Sequence, residues 1–234
     1  MTTGPPFPTP VAATRFAGFV PRRSGPLVHS LTHMTDQKPL LLASGSEIRA
    51  TLLRNAGLRF DIARPRVDED AIRASLRAEE TGPRDVADAL AEFKAVKVSD
   101  KHPGALVIGC DQVLDLDGAV LTKPGSPAAA RQQLMDLRGK THRLLSAVVI
   151  CENGRPLWRH VGIARLTMRD FSEGYLDAYL TRNWPEVGNS VGAYMLEAEG
   201  VRLFSRIEGD YFTILGLPLI ELLTWLGIRG DIAA

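Results

Sequence analysis

The chain has 234 residues, 45% of them hydrophobic and 24% charged, with 28 basic and 27 acidic side chains for a formal charge of +1. Such a composition suits a folded chain with a sizeable core and excludes wholesale disorder and fibrous repeats. Its near-neutral balance argues against a protein that coats nucleic acid or clings to an acidic membrane.

Residues 1–35 contain no Asp or Glu but hold six prolines and Arg15, Arg22 and Arg23. Prolines at that density spoil a helix register and leave little apolar surface to bury. Residues 1–33 therefore read as a disordered extension or, more simply, as a mis-assigned start ahead of Met34. From Pro39 the pattern alternates between short apolar runs and helical periods, which predicts an α/β fold. Leu40–Ala43 reads as a buried strand ending at Ser44-Gly45-Ser46, followed by a helix to about Asn55 that stops at Gly57. A second strand is expected over Arg59–Ala63, leading into an acidic loop, Val67-Asp68-Glu69-Asp70. Pro83–Val98 has the stripe of an amphipathic helix. Ala105–Gly109 is a buried strand, and Asp117-Gly118 marks the turn of a hairpin over Val113–Leu121. Ser126-Pro127 opens a helix that closes at Gly139. A longer hairpin turns at Asn153-Gly154, Ser172 caps another helix, and Gly216-Leu217-Pro218 opens a last apolar one. No apolar run reaches the length of a membrane span, since Tyr211–Ile228 is broken by Gly216, Pro218 and Glu221.

The chain lacks a Walker-type phosphate loop, a dinucleotide glycine fingerprint and a nucleophile elbow. Its two cysteines, Cys110 and Cys151, have no metal or redox spacing, which suits a reducing compartment; Cys110 reads as a packed thiol. His102, His142 and His160 are not paired at metal-ligand spacing. The chemistry is left to carboxylates and cations. Ser44, Ser46 and Arg49 surround the start of a helix, where free amides, hydroxyls and a guanidinium make an anion site; an ordinary cap is the bland alternative. Glu69 lies among three acids able to hold a hard cation, or simply to open a helix. Asp111 follows an apolar strand, at or just beyond its carboxyl end, where open α/β sheets bind ligands and a carboxylate needs a partner. Lys94 sits at the edge of a buried helical stripe, and Lys123-Pro124 follows the Asp-Gly hairpin.

In order, Leu42-Ala43-Ser44-x-Ser46 with Arg49, Val67-Asp68-Glu69, Lys94, Gly109-x-Asp111-Gln112, Lys123-Pro124, Gly192-Ala193-Tyr194 and Gly216-Leu217-Pro218-Leu219 resemble the Maf family. Its members are nucleoside triphosphate pyrophosphatases, also called septum formation proteins. The resemblance covers about Pro39 to Gly227 and implies a single domain over 34–234. It implies an α/β fold like that of the inosine triphosphatases, a mixed elongated sheet with flanking helices and a central cleft between two lobes. It also implies cleavage of the α–β phosphate bond with a divalent metal, magnesium or manganese, held by Glu69 and Asp111. On that resemblance Asp111 is the proton acceptor, Glu69 and Lys94 join it in catalysis, and Ser44, Ser46, Arg49 and Lys123 contact the polyphosphate. The expected partner is a nucleoside triphosphate, with no nucleic acid polymer and no membrane; the expected compartment is the cytoplasm, and a homodimer is compatible with the pattern.

Ile48, Gln112 and Glu197 stand where pyrimidine-preferring members carry an arginine, a threonine and a glutamine. That triplet is similar to the branch acting on 7-methylguanosine triphosphate. A hydrogen-bond inventory agrees: guanine offers an N–H and an amino group side by side, matching two carboxylate oxygens, and methylation at N7 adds a positive charge. Such an enzyme would keep modified nucleotides out of nucleic acid. The alternatives are a dTTP-, UTP- or ITP-type pyrophosphatase and a non-catalytic nucleotide-binding regulator of cell division.

Overall fold

A computed structural model describes residues 38–233. The reading of residues 1–33 as an extension or false start lies outside them. The chain is a mixed α/β fold. Strand β1 (Leu40–Ala43) leads into helix α1 (Glu47–Asn55), β2 (Asp61–Ile62), α2 (Glu69–Ala78), α3 (Pro83–Ser99) and β3 (Leu106–Leu116). There follow β4 (Ala119–Leu121), α4 (Pro127–Leu137), β5 (Thr141–Glu152), β6 (Arg155–Met168) and α5 (Glu173–Asn183). Three short 3₁₀ turns then precede β7 (Phe204–Glu208), α6 (Tyr211–Ile214) and α7 (Leu219–Arg229). Among the described residues no helix is long and apolar enough to cross a membrane.

The strands form one seven-stranded sheet in the order β2-β1-β3-β5-β6-β7, with β4 added to β3. Its β2-β1-β3 side is parallel and the rest antiparallel. β1 is matched to β3 only as far as Ala43 opposite Gly109, and β4 joins β3 only from Leu114 opposite Leu121. Cys110–Val113 therefore have no strand on that edge. The sheet has a notch there, and the functional side chains gather around it.

Side chains alternate across β3, as the two-residue period of a strand requires. Val107 and Val113 pack in the core beneath α3, with Leu90, Ala91 and Ala95. Ile108 and Cys110 pack on the other face with α1 and α7. A third core joins α4 and α5 to the far ends of β5 and β6. Gly109 makes the α3 packing possible. A Cβ there would stand 2.6 Å from the Ala95 methyl and closer still to the Ala91 carbonyl oxygen, so the helix lies against bare strand backbone.

Three expectations are corrected. Asp111 does not stand beyond the strand but in its middle, because β5 pairs with β3 without a break from Val107 to Asp115. The acidic stretch is a loop only as far as Asp68, which accepts a hydrogen bond from the Ala71 amide and caps α2, so of the two readings the helix-opening one holds for Glu69 and Asp70. The strand expected over Arg59–Ala63 shrinks to Asp61–Ile62, both exposed.

Gly109→Ala should push α3 off the sheet and cost about 1–3 kcal/mol or more, the usual range for an overpacked core. Gly125→Ala, where a Cβ meets nothing within 4 Å, should stay near wild type. Urea denaturation midpoints of both variants check this.

Candidate active site

A cleft of about 950 Å³ opens at the notch, lined by Ser44, Ser46, Ile48, Arg49, Glu69, Arg73, Lys94, Asp111, Gln112, Lys123 and Glu197, among others. Every candidate site residue read from the sequence thus faces one cavity, although they come from positions 44 to 197.

Part of the lining is a charged cluster. Because α3 lies so close to β3, Lys94 reaches the strand although only 7% of its surface is exposed. Its ammonium donates to Asp111 Oδ1 at 2.7 Å and is paired with Glu69 Oε1 at 2.8 Å. Asp111 is itself buried, so this cation supplies the partner that a carboxylate in that position needs. Burial pushes the Glu69 carboxyl up, but Lys94, Arg73 and Lys123 outweigh it and hold the group below its ordinary value. Lys123 is shifted down by burial first and then by repulsion from Arg49 and Lys94, against the pull of Glu69 and Asp111. Its ammonium therefore gains by receiving an anion.

The turn after β1 forms the next wall. Ser46 is the N-cap of α1, yet its side chain makes no capping bond; its amide instead donates to Ser44 Oγ at 3.2 Å. The first amides of α1 are left for an incoming anion. Arg49 has a structural duty as well. Its Nε donates to the Gly216 carbonyl at 2.7 Å, and its Nη1 donates at 3.2 Å to both Ser44 Oγ and the Cys110 carbonyl at the notch. Nη2 is the guanidinium nitrogen without a protein partner among the described residues, so Arg49 offers a phosphate one nitrogen and not a two-nitrogen fork. Gly216, at φ +95°, is needed because a Cβ would stand 3.2 Å from that guanidinium. Cys110 is a packed thiol, pushed up to about 11 by burial.

Several other lining residues are apolar or uncharged. Ile48 packs on the core between α1 and α7 while also lining the cleft. Gln112 is a brace: its amide nitrogen donates to Ser146 Oγ at 2.9 Å and to the Thr213 and Ile214 carbonyls at 3.3 and 2.9 Å. That leaves its carbonyl oxygen as the atom free of protein partners among the described residues. Glu197 is exposed and has no protein hydrogen bond or ion pair among the described residues. Nearby Glu199, by contrast, is tied to Arg182 and Asn183, which hold it down to about 2. The segment carrying Glu197 is anchored by Tyr194, whose hydroxyl lies 2.7 Å from His142 Nε2, both groups buried. The sequence reading missed that pair. It also missed Arg73, whose signal was its position one helical turn after Glu69.

Among the described residues no three His, Cys, Asp or Glu side chains are grouped to hold a metal. The chemistry present is two carboxylates, Glu69 and Asp111, sharing one lysine.

A lining that combines several cations and carboxylates with apolar side chains and a lone carboxylate suits a ligand with both a polyanionic part and an apolar, hydrogen-bonding part. Residues 39–228 match the Maf-like protein family, and the chain belongs to it. A nucleoside triphosphate pyrophosphatase of Roseobacter denitrificans is 58% identical over 195 residues, covering 83% of this chain and 98% of its own. A 7-methyl-GTP pyrophosphatase of Brucella abortus biovar 1 is 51% identical over 187 residues, covering 80% and 94%. Among solved structures, a nucleoside-triphosphatase (dITP/XTP pyrophosphatase) of Mycobacterium abscessus aligns over 84% of this chain and 98% of its own, at TM-score 0.37 and 14% identity.

His142 makes a prediction about acid stability. Burial pushes its imidazole down from 6.5 to about 4 in the folded chain. Above pH 6.5 it is neutral whether folded or unfolded, and its contribution is complete. Between 6.5 and 4 the unfolded chain takes up the proton first, so stability falls as pH falls, by on the order of 3 kcal/mol. Thermal melts from pH 7 to 4 should show this loss, with a shallower slope for His142→Gln.

Proposed function

We propose that this chain is a nucleoside triphosphate pyrophosphatase that cleaves the α–β phosphate bond of a guanine-type, 7-methylated nucleotide. The observation that carries the reading is the cluster at the notch. Asp111 stands in a buried strand among Lys94, Arg49 and Lys123, so a carboxylate and several cations can face one polyphosphate. Hydrolysis of a phosphoanhydride needs charge neutralisation and alignment more than covalent chemistry. Arg49 and Lys123 take the tail, together with the uncapped amides of α1, while Lys94 holds Asp111. Asp111 orients a water in line and accepts its proton as the oxygen bonds to phosphorus and the bridging P–O bond breaks. Pyrophosphate and the monophosphate leave.

A divalent cation fits the hard oxygen donors of Glu69 and Asp111, since magnesium is usually held by one or two carboxylates with substrate phosphates completing its shell. When bound it would neutralise charge on those phosphates. The 7-methylguanine reading is supported by Glu197, a carboxylate lining the cleft and unpaired among the described residues, by the free carbonyl oxygen of Gln112 and by the named Brucella relative. Two adjacent N–H donors and a positive ring suit acceptors of that kind better than the carbonyls of a pyrimidine do.

Asp111→Asn should lower the turnover number about a hundredfold or more while nucleotide binding survives, as is typical when a general base is removed. Pyrophosphate release across a panel of nucleotides and metals measures it; turnover equal to wild type would remove Asp111 from the chemistry. Glu197→Gln should shift preference from 7-methyl-GTP toward UTP and dTTP in the same assay, and an unchanged order would overturn the base assignment.

A further inference from the structure

Arg73 is the cation in the cleft that neither the sequence motifs nor the proposed reaction uses. It lies on α2, one turn after Glu69, with its side chain 18% exposed. Its Nη2 stands 3.3 Å from Asp111 Oδ2 and 3.7 Å from Glu69 Oε2. Both separations are long for charge-assisted pairs, which close to about 2.7–2.9 Å when they are tight. Lys94 meets the same two carboxylates at 2.7 and 2.8 Å. Arg73 Nη1 is shielded from solvent and has no hydrogen-bond partner among the described residues. Asp111 is therefore held firmly through one oxygen and covered loosely through the other by an under-coordinated guanidinium.

The helix beneath is weakly moored. α2 buries no residue completely, and Ile72 and Leu76 only rest against the core under α3. Small movements of such an element cost little. A guanidinium prefers a doubly charged oxygen face that it can meet with two nitrogens, and Asp111 offers it one oxygen at long range.

Resting on the pyrophosphatase reading, we propose that Arg73 is a catalytic residue that covers Asp111 while the cleft is empty and transfers to the β,γ-phosphates when a triphosphate enters. The exchange uncovers Asp111 Oδ2 for the attacking water only when a polyphosphate is present. Lys94 keeps Oδ1 throughout, so the carboxylate stays aimed. A nucleoside monophosphate, having no β- and γ-phosphates, does not draw Arg73 away.

Titration calorimetry with inorganic pyrophosphate and, separately, with a nucleoside monophosphate tests this on wild type, Arg73→Gln and Arg73→Lys. Arg73→Gln should weaken pyrophosphate binding by on the order of ten- to a hundredfold, the value of one charged hydrogen-bonding group, and leave monophosphate binding unchanged. Arg73→Lys should recover part of the loss, and added guanidinium ion should raise the turnover of Arg73→Ala in proportion to its concentration, short of the wild-type rate because a free ion lacks the positioning of a tethered group. Unchanged pyrophosphate binding in Arg73→Gln overturns the proposal, and so does equal weakening of both ligands without rescue. The calorimetry does not depend on turnover. Failure of wild type to hydrolyse any nucleotide would sink the pyrophosphatase reading while leaving the binding result for Arg73 to stand or fall by itself.

Discussion

The architecture of the cleft depends on one buried ammonium. Lys94 carries charge into the interior, where leaving any one partner alone would cost several kcal/mol. Its two short contacts, to Asp111 and Glu69, draw a strand, a long helix and a marginal helix to a single point. Gly109 makes this reach possible by removing the side chain that would hold α3 away from β3. The same contact that stabilises the packing fixes the direction in which the Asp111 carboxylate points. Packing and the aim of the carboxylate share the interaction, so neither can be altered alone.

Around this point the sheet changes character. Its parallel side ends at Ala43, while β3 continues beside β5 as an antiparallel strand. A continuous strand passing a neighbour that has stopped leaves backbone groups facing the cleft, and Arg49 takes one of them, the Cys110 carbonyl. Arg49 thereby joins α1, β3 and the Gly216 turn before α7. A residue that reads from sequence as a phosphate ligand is also a strut, and this limits how many of its nitrogens remain for a ligand.

Much of the fold was legible because period and punctuation agreed. The Pro83 helix, the Asp117-Gly118 hairpin and the Ser126 and Ser172 caps lie where their local chemistry directs. The convergence of Ser44, Arg49, Glu69, Lys94, Asp111, Lys123 and Glu197 on one cavity was legible only through the order of motifs that the family shares. What stayed hidden had physical causes. α2 buries none of its residues completely, so beyond its acidic opening no buried run marked the helix that carries Arg73. The length of β3 is set by its pairing with β5, which no window on β3 alone contains. The partnership of His142 with Tyr194 joins residues far apart in sequence, each unremarkable without the other.

The notch also gathers residues from distant parts of the chain. Ser44, Arg49, Glu69, Arg73, Lys94 and Asp111 come from the first part of the chain, ending in β3, whereas Tyr194 and Glu197 come from a later segment anchored on β5. The two groups are not independent, because β3 pairs with β5 along Val107–Asp115 and the Gln112 amide is bonded to Ser146 on β5. A replacement in the later stretch is therefore felt through the ladder by the earlier one, and a complete change of ligand preference in such a molecule needs concerted substitutions on both sides of the void.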